Sequence, residues 1–262
     1  MTEQDIQRAA ADLWRYWQQS LRIPELSQPC RPADRAEGYA IQARLAELSG
    51  QGLAGWKIAA TSKAGQAHIR VDGPLAGRLL KNRVLEEGAT ISLRGNLMRV
   101  AEAEFAFRFG RALKKRNEPY TTAEVLAAVD TLHPAIEVPD SRYEDYTLVG
   151  APQLIADNAC ACWFILGQPT VANWRAVDLT RHEAHGYRNG ERVSSGSGAN
   201  VLGDPLVALT WIANELSRYA GGLLAGHVVT TGTCITPIPV SPGNHVRMDF
   251  GIFGSLEAKF SG

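Results

Sequence analysis

Cysteine is scarce in this chain of 262 residues: Cys30, Cys160, Cys162 and Cys234 are the four, and no CxxC pair occurs among them. That spacing argues against a disulfide framework or a zinc site and predicts reduced, mostly buried thiols. Net charge is also missing. The 27 basic and 27 acidic side chains cancel without a long run of either sign, which argues against binding to nucleic acid or to an anionic membrane surface. Long hydrophobic runs are absent too. The longest, Ala159 to Leu166, is far too short to span a bilayer, and charges from Glu3 to Arg15 break any signal-peptide pattern, so a cytoplasmic location is expected. No Gly-x-Ser-x-Gly elbow supports a serine hydrolase. His182-Glu183-Ala184-His185 lacks metalloprotease spacing and reads as a surface segment, while Ser195-Gly196-Ser197-Gly198 lacks the lysine of a phosphate loop and reads as a turn.

The composition, 45% hydrophobic and 21% charged, is that of a globular chain with a sizeable core, which leaves small-molecule chemistry or assembly as the open classes. Ile6, Ala10, Leu13 and Trp17 recur at helical spacing, as do Ile41, Leu45 and Leu48 before Gly50, so residues 1–52 read as a helical cap. From residue 53 to 262 short strand-like runs dominate: Gly55 to Ala60, Arg78 to Leu85, Val100 to Phe109, Ile136 to Val138 and Cys160 to Leu166. Two helices interrupt them. Thr121-Thr122-Ala123-Glu124 is a capping box ahead of Val125 to Thr131, and Asp204-Pro205 starts a helix that runs towards Gly221-Gly222. Asn189-Gly190 predicts a hairpin turn, and Val246, Met248 and Phe250 followed by Leu256, Ala258 and Phe260 predict a closing hairpin. The bulk is therefore a mixed, largely antiparallel β body, one continuous unit of class α+β.

The most informative strand is Ala101-Glu102-Ala103-Glu104-Phe105-Ala106-Phe107-Arg108-Phe109. One face carries Ala101, Ala103, Phe105, Phe107 and Phe109; the other places Glu102 and Glu104 about 7 Å apart by strand geometry. Two such charges repel unless a cation lies between them. A divalent ion with oxygen ligands meets that need, with Glu137 as a candidate third carboxylate; the alternative is that both glutamates face water beside Arg108. Lys57, between Trp56 and Ile58 in an apolar strand, either snorkels to solvent or is held inside by partners.

In joint order these pieces resemble the 2-keto-4-pentenoate hydratase and 4-oxalocrotonate decarboxylase group of the fumarylacetoacetate hydrolase superfamily. The matching segments are Gly55-Trp56-Lys57-Ile58-Ala59-Ala60-Thr61-Ser62-Lys63-Ala64, Ala101 to Phe107, Ile136-Glu137 with Asp140-Ser141-Arg142, Ile155 to Ala159, Val201 to Leu206, and Thr230-Thr231-Gly232-Thr233. They cover nearly the whole chain. The resemblance implies a mixed β-roll with an N-terminal helical cap. It also implies a homo-oligomer, alone or with a sister decarboxylase or hydratase subunit, that binds Mg2+ or Mn2+. By the same resemblance Glu102, Glu104 and Glu137 match the metal ligands, Lys57 matches the active-site lysine, and Thr61, Ser62, Leu75 and Thr233 fall among substrate-binding positions. Three carboxylates with open coordination positions suit a chelating 2-oxo acid substrate. Apolar walls and a nearby dication would push Lys57 down towards neutral, as an acid/base requires.

The sequence departs from the group's pattern at one place that matters. Many of these hydratases carry an acidic residue about eighteen positions after the lysine, where an acid would serve proton transfer, and an ungapped count reaches Leu75 here. Asp72 is the nearby substitute, expected to act in proton transfer, and Leu75 is expected to line the pocket. Ala225-Gly226-His227 and Cys160 also replace residues usual in the group. The leading expectation is hydration of a 2-hydroxy-2,4-dienoate to a 4-hydroxy-2-oxo acid in aromatic catabolism. The runner-up is decarboxylation of a 2-oxo-3-enedioate such as 4-oxalocrotonate, which needs no base to start. The third is a non-catalytic partner subunit.

Overall fold

The computed structural model describes residues 1–262, and its architecture follows from where strand period and helix caps coincide. Seven strands form the backbone of the main sheet, in the order Leu75–Leu80, Leu53–Ala59, Val228–Thr233, Val100–Phe109, Val129–Val138, Trp163–Leu166 and Val84–Leu85, and Ile238–Pro239 also pairs with Val100–Phe109. Pairing is antiparallel except between Leu53–Ala59 and Val228–Thr233 and between Val84–Leu85 and Trp163–Leu166. A second sheet orders Glu191–Ser197, Glu183–Arg188, His245–Asp249, Ser255–Ser261 and Thr90–Ser92. The His182 to His185 segment thus enters a strand of this sheet. No helix is long and apolar enough to cross a membrane.

The two sheets enclose one large apolar core. The alternation of Val100–Phe109 is realised: Ala101, Ala103, Phe105, Phe107 and Phe109 are all buried, with Phe105 5.3 Å from Phe250 between ring centres. The reverse face is not a solvated one. Ala106 lies there in a second apolar cluster with Leu79, Ala135, Phe164 and Val228, so Glu102 and Glu104 emerge beside buried hydrocarbon.

The N-terminal helices, Glu3–Gln19 and Arg35–Leu48, form as their spacing predicts, though Leu48 is exposed and Ala9 takes a core place. They share a cluster with Leu80, Tyr143 and Ala156 of the β body, and buried Gln42 donates to the carbonyls of Ala76 (2.8 Å) and Ile155 (2.9 Å). The capping box at Thr121 is present, but its helix ends at Ala128 and residues Val129–Val138 form a long strand. Registry with Val100–Phe109 overrides the local helical pattern there. Asp204 caps Pro205–Tyr219, and Asn189 (φ 53°) and Gly190 (φ 86°) make the expected tight turn. Two short helices, Lys63–His68 and Gly150–Ala156, are too brief for a periodic signal.

Candidate metal and 2-oxo acid site

Antiparallel registry sets Glu102 directly opposite Glu137, and Glu104 lies two residues along on the same face. The strand at Val129–Val138 thereby delivers the third carboxylate that spacing alone could not place. One oxygen from each of the three lies within 4.8 Å of the others. Two ligands across a cation at its usual 2.0–2.6 Å reach would be separated by about that distance. Glu104 and Glu137 are fully buried, and Glu102 is half-buried on the wall of a cavity of about 930 Å³. Glu104 Oε2 accepts the Gly232 N–H at 2.8 Å, whereas Glu104 Oε1 and Glu137 Oε2 have no partner. Buried oxygens left unpaired in a carboxylate trio are what a hard cation satisfies.

Lys57 is buried and does not snorkel. Its Nζ lies 2.8 Å from Glu137 Oε1, in ion-pair contact rather than good hydrogen-bond geometry, and donates to the Ala159 carbonyl at 3.2 Å. Formal charge is consistent with a metal: three carboxylates and one ammonium come to neutrality with one dication. Burial raises Glu102 to about 7, with Glu137 adding to the rise, and burial likewise lifts Glu104 well above the carboxylate range. Lys57 departs from expectation. Burial pushes it down, but Glu137, Glu102 and Glu104 outweigh that, so in the metal-free protein it is raised.

Several supports were not assigned from sequence. Asn158 (φ 58°), Ala159 (φ 49°) and Cys160 (φ 60°) form a left-handed run that aims the Ala159 carbonyl at Lys57. Three contacts hold the run. Asn158 Oδ1 accepts from the Arg78 N–H at 2.7 Å, and buried Asp157 is ion-paired to Arg142 while accepting from Ser141 Oγ at 2.7 Å. The Asp140-Ser141-Arg142 and Asp157-Asn158 segments therefore meet as a scaffold. Gly77 faces Lys57 across the sheet, where a Cβ would stand 2.3 Å from the Asn158 carbonyl oxygen. Gly232, at φ +104°, presses so close to Thr61 that a Cβ would lie 2.0 Å from its Oγ1.

Of the remaining predicted site residues, Thr61, Ser62 and Thr233 line the cavity. Ser62 Oγ accepts from Gly65 N–H at 3.0 Å and keeps its proton free to donate, while Thr233 Oγ1 donates to the Ile235 carbonyl at 2.9 Å. Asp72 and Leu75 are corrected. Leu75 is buried in the main core at the start of its strand, and Asp72 is exposed in the turn before it; neither reaches the cavity, because the Lys63–His68 helix takes up the intervening chain. Two titratable groups that sequence reasoning missed do line it. His68 Nε2 and Tyr146 Oη lie 3.3 Å apart on the cavity wall. Cys160, also on the wall, is raised to about 12 by burial, which disfavours its thiolate.

Residues 68–261 match the fumarylacetoacetate (FAA) hydrolase C-terminal family. The chain belongs to that family. It is 33% identical over 264 residues to a 2-keto-4-pentenoate hydratase of Paraburkholderia xenovorans (strain LB400), covering 99% of this chain and 96% of that one. It is 30% identical over 241 residues to the 4-oxalocrotonate decarboxylase of Pseudomonas sp. (strain CF600), covering 91% and 90%. Among solved structures, the 4-oxalocrotonate decarboxylase from Pseudomonas putida G7, complexed with magnesium and adipate, matches with a TM-score of 0.88 at 28% identity. That match covers 99% of this family member and 98% of that chain. Both named activities are those of lyases.

Proposed function

We propose that this family member is a metal-dependent lyase that hydrates a 2-hydroxy-2,4-dienoate to a 4-hydroxy-2-oxo acid in aromatic catabolism. The observation that carries this reading is convergence: three carboxylates and a buried lysine meet, and Glu102 and Lys57 open onto a cavity whose wall also presents Ile58, Met98, Val100, Ile235 and Pro237. An all-oxygen trio suits a hard dication, and Mg2+ or Mn2+ is the ion we assign to Glu102, Glu104 and Glu137. When bound it would supply Lewis acidity towards the 2-oxo acid end of the substrate.

The chain's own residues do the rest. Ser62 and Thr61 orient the substrate carboxylate, and the apolar wall seats the hydrocarbon tail. Lys57 holds and moves a proton at Nζ. Hydration needs a second proton carrier, since a proton goes to carbon while water adds to the far alkene carbon. With Leu75 and Asp72 outside the cavity, we assign that role to the His68–Tyr146 pair. Four free, buried cysteines fit a reducing cytoplasm, and we place the chain there as a homo-oligomer, alone or with a sister subunit.

Decarboxylation of a 2-oxo-3-enedioate is the second reading. Lys63 and His68, the basic side chains on the cavity wall besides Lys57, suit a second carboxylate. Incubation with 2-hydroxypenta-2,4-dienoate and with 4-oxalocrotonate, following absorbance loss and carbon dioxide separately, decides between them. Absorbance loss with the first substrate and no carbon dioxide is expected. Faster carbon dioxide release from the second would put decarboxylation first, and turnover of neither would point to a longer analogue or, last, to a non-catalytic role.

A further inference from the structure

The wall of the catalytic cavity has a second side. Met98, Pro139 and Cys160 line the cavity, while Asn96, Asp140 and Cys162, one or two residues away, line a separate pocket of about 280 Å³. Four arginines, Arg22, Arg83, Arg94 and Arg142, converge on that pocket against one carboxylate, Asp140. Two of them are already neutralised. Arg22 Nη2 lies 2.6 Å from Asp140 Oδ2, and Arg142 is paired with buried Asp157.

The other two are not. The side chains of Arg83 and Arg94 have neither an ion pair nor a hydrogen bond. Arg83 is nonetheless fixed in place: its Cζ stacks 4.2 Å over the Trp163 ring and 5.3 Å over Trp17, whose ring also carries Arg142 at 4.2 Å. Burial first holds the Arg83 guanidinium below its usual range, with repulsion from Arg142 adding to the effect. Arg22 Nε is a further buried donor without a partner. A planar fork of donors, half-buried and stacked between two tryptophans, has no partner in the protein itself and matches a carboxylate or phosphate edge.

We propose that this pocket binds a small anion bearing a carboxylate or phosphate group, at a site separate from the metal centre. Arg83 is its main ligand, and Arg94 closes on the anion from the exposed rim. The volume of about 280 Å³ falls just below the roughly 300–1,000 Å³ of drug-sized ligand sites, which favours a small anion.

The test uses full-length chelator-treated protein titrated with sodium phosphate and, separately, sodium succinate at constant ionic strength. Tryptophan fluorescence reports binding, since Trp17 and Trp163 line the pocket, and calorimetry confirms it. The expected result is a saturable response with Kd on the order of 1 mM or tighter. Arg83→Met should weaken it about tenfold or more and Arg94→Gln several-fold, whereas Glu104→Gln should leave it intact. Saturation by phosphate alone identifies a phosphoryl ligand, and by succinate alone a carboxylate. No saturation by either anion, or equal affinity in the arginine variants, would overturn the proposal. If Arg83→Met does not fold, Arg94→Gln decides, because its exposed side chain is not needed for the core.

Discussion

Glu102 and Glu137 face each other directly across two antiparallel strands, with Lys57 Nζ 2.8 Å from Glu137 Oε1. Like charges in that relation destabilise a sheet unless something offsets them. Lys57 offsets one carboxylate of the three, which leaves the metal-free site short of positive charge.

Glu104→Gln should therefore lose divalent-ion binding while staying folded. Its chelator-treated form should melt no lower than the wild type, because a carboxyl whose ionisation burial disfavours is gone. Calorimetric titration with Mn2+ checks the first part; an affinity equal to that of the wild type would remove Glu104 from the ligand set.

The same trio sets a pH dependence. Glu102 is raised from 4.5 to about 7, and burial also raises Glu104, so without metal the folded state holds protons that the unfolded chain has released. Their contribution to stability is present below about pH 4.5 and is lost as pH rises through about 7. In chelator, the Tm of the wild type minus that of Glu104→Gln should fall between pH 5 and 7.5. Saturating Mn2+ should reverse the trend, since ligands bind metal only when deprotonated. A difference that stays flat in chelator would show that these carboxylates ionise normally.

Lys57→Met should lower turnover by about 10²–10⁴-fold, the usual range for a general acid/base, with Mn2+ affinity changed little. Tyr146→Phe, which removes the hydroxyl bonded to His68, should lower hydration more than it lowers any decarboxylation, because only hydration needs a second proton carrier. Equal activity of Tyr146→Phe and wild type on the dienoate would detach the His68–Tyr146 pair from the chemistry.

Leu75→Asp should destabilise the protein by on the order of 3 kcal/mol or more, since the carboxylate enters an apolar core. Asp72→Asn, on an exposed turn, should leave turnover unchanged. Thermal melts and steady-state rates of both variants test this, and a stable Leu75→Asp enzyme with faster hydration would return position 75 to the active site.

Gly232→Ala should weaken Mn2+ binding several-fold and lower stability by about 1–3 kcal/mol. The added methyl meets Thr61 at a positive φ, and relief of the clash moves the N–H that binds Glu104 Oε2. Melting and metal titration together check the coupling; loss of stability with full metal affinity would show that this N–H does not position Glu104.

The local elements were legible in the residues because their causes are local. The two-residue period of Ala101 to Phe109 fixes which side of the strand enters the core, and the caps at Thr121 and Asp204 satisfy helix N–H groups within three residues. The tight turn at Asn189-Gly190 is set by two positive φ angles. Other features required contacts between distant segments. Val129 to Thr131 carries a helical pattern but pairs as a strand, because cross-strand burial outweighs a propensity of a few tenths of a kcal/mol. Counting along the chain put Leu75 in the cavity, yet the Lys63–His68 helix coils the intervening residues and sends it into the core. The Glu102, Glu104 and Glu137 residue types suggested a metal, but only sheet registry sets Glu137 opposite Glu102, and only the Asp157–Cys160 turn points a carbonyl at Lys57. Neither leaves a periodic trace, because each is a meeting of segments whose separation in sequence carries no information about their separation in space.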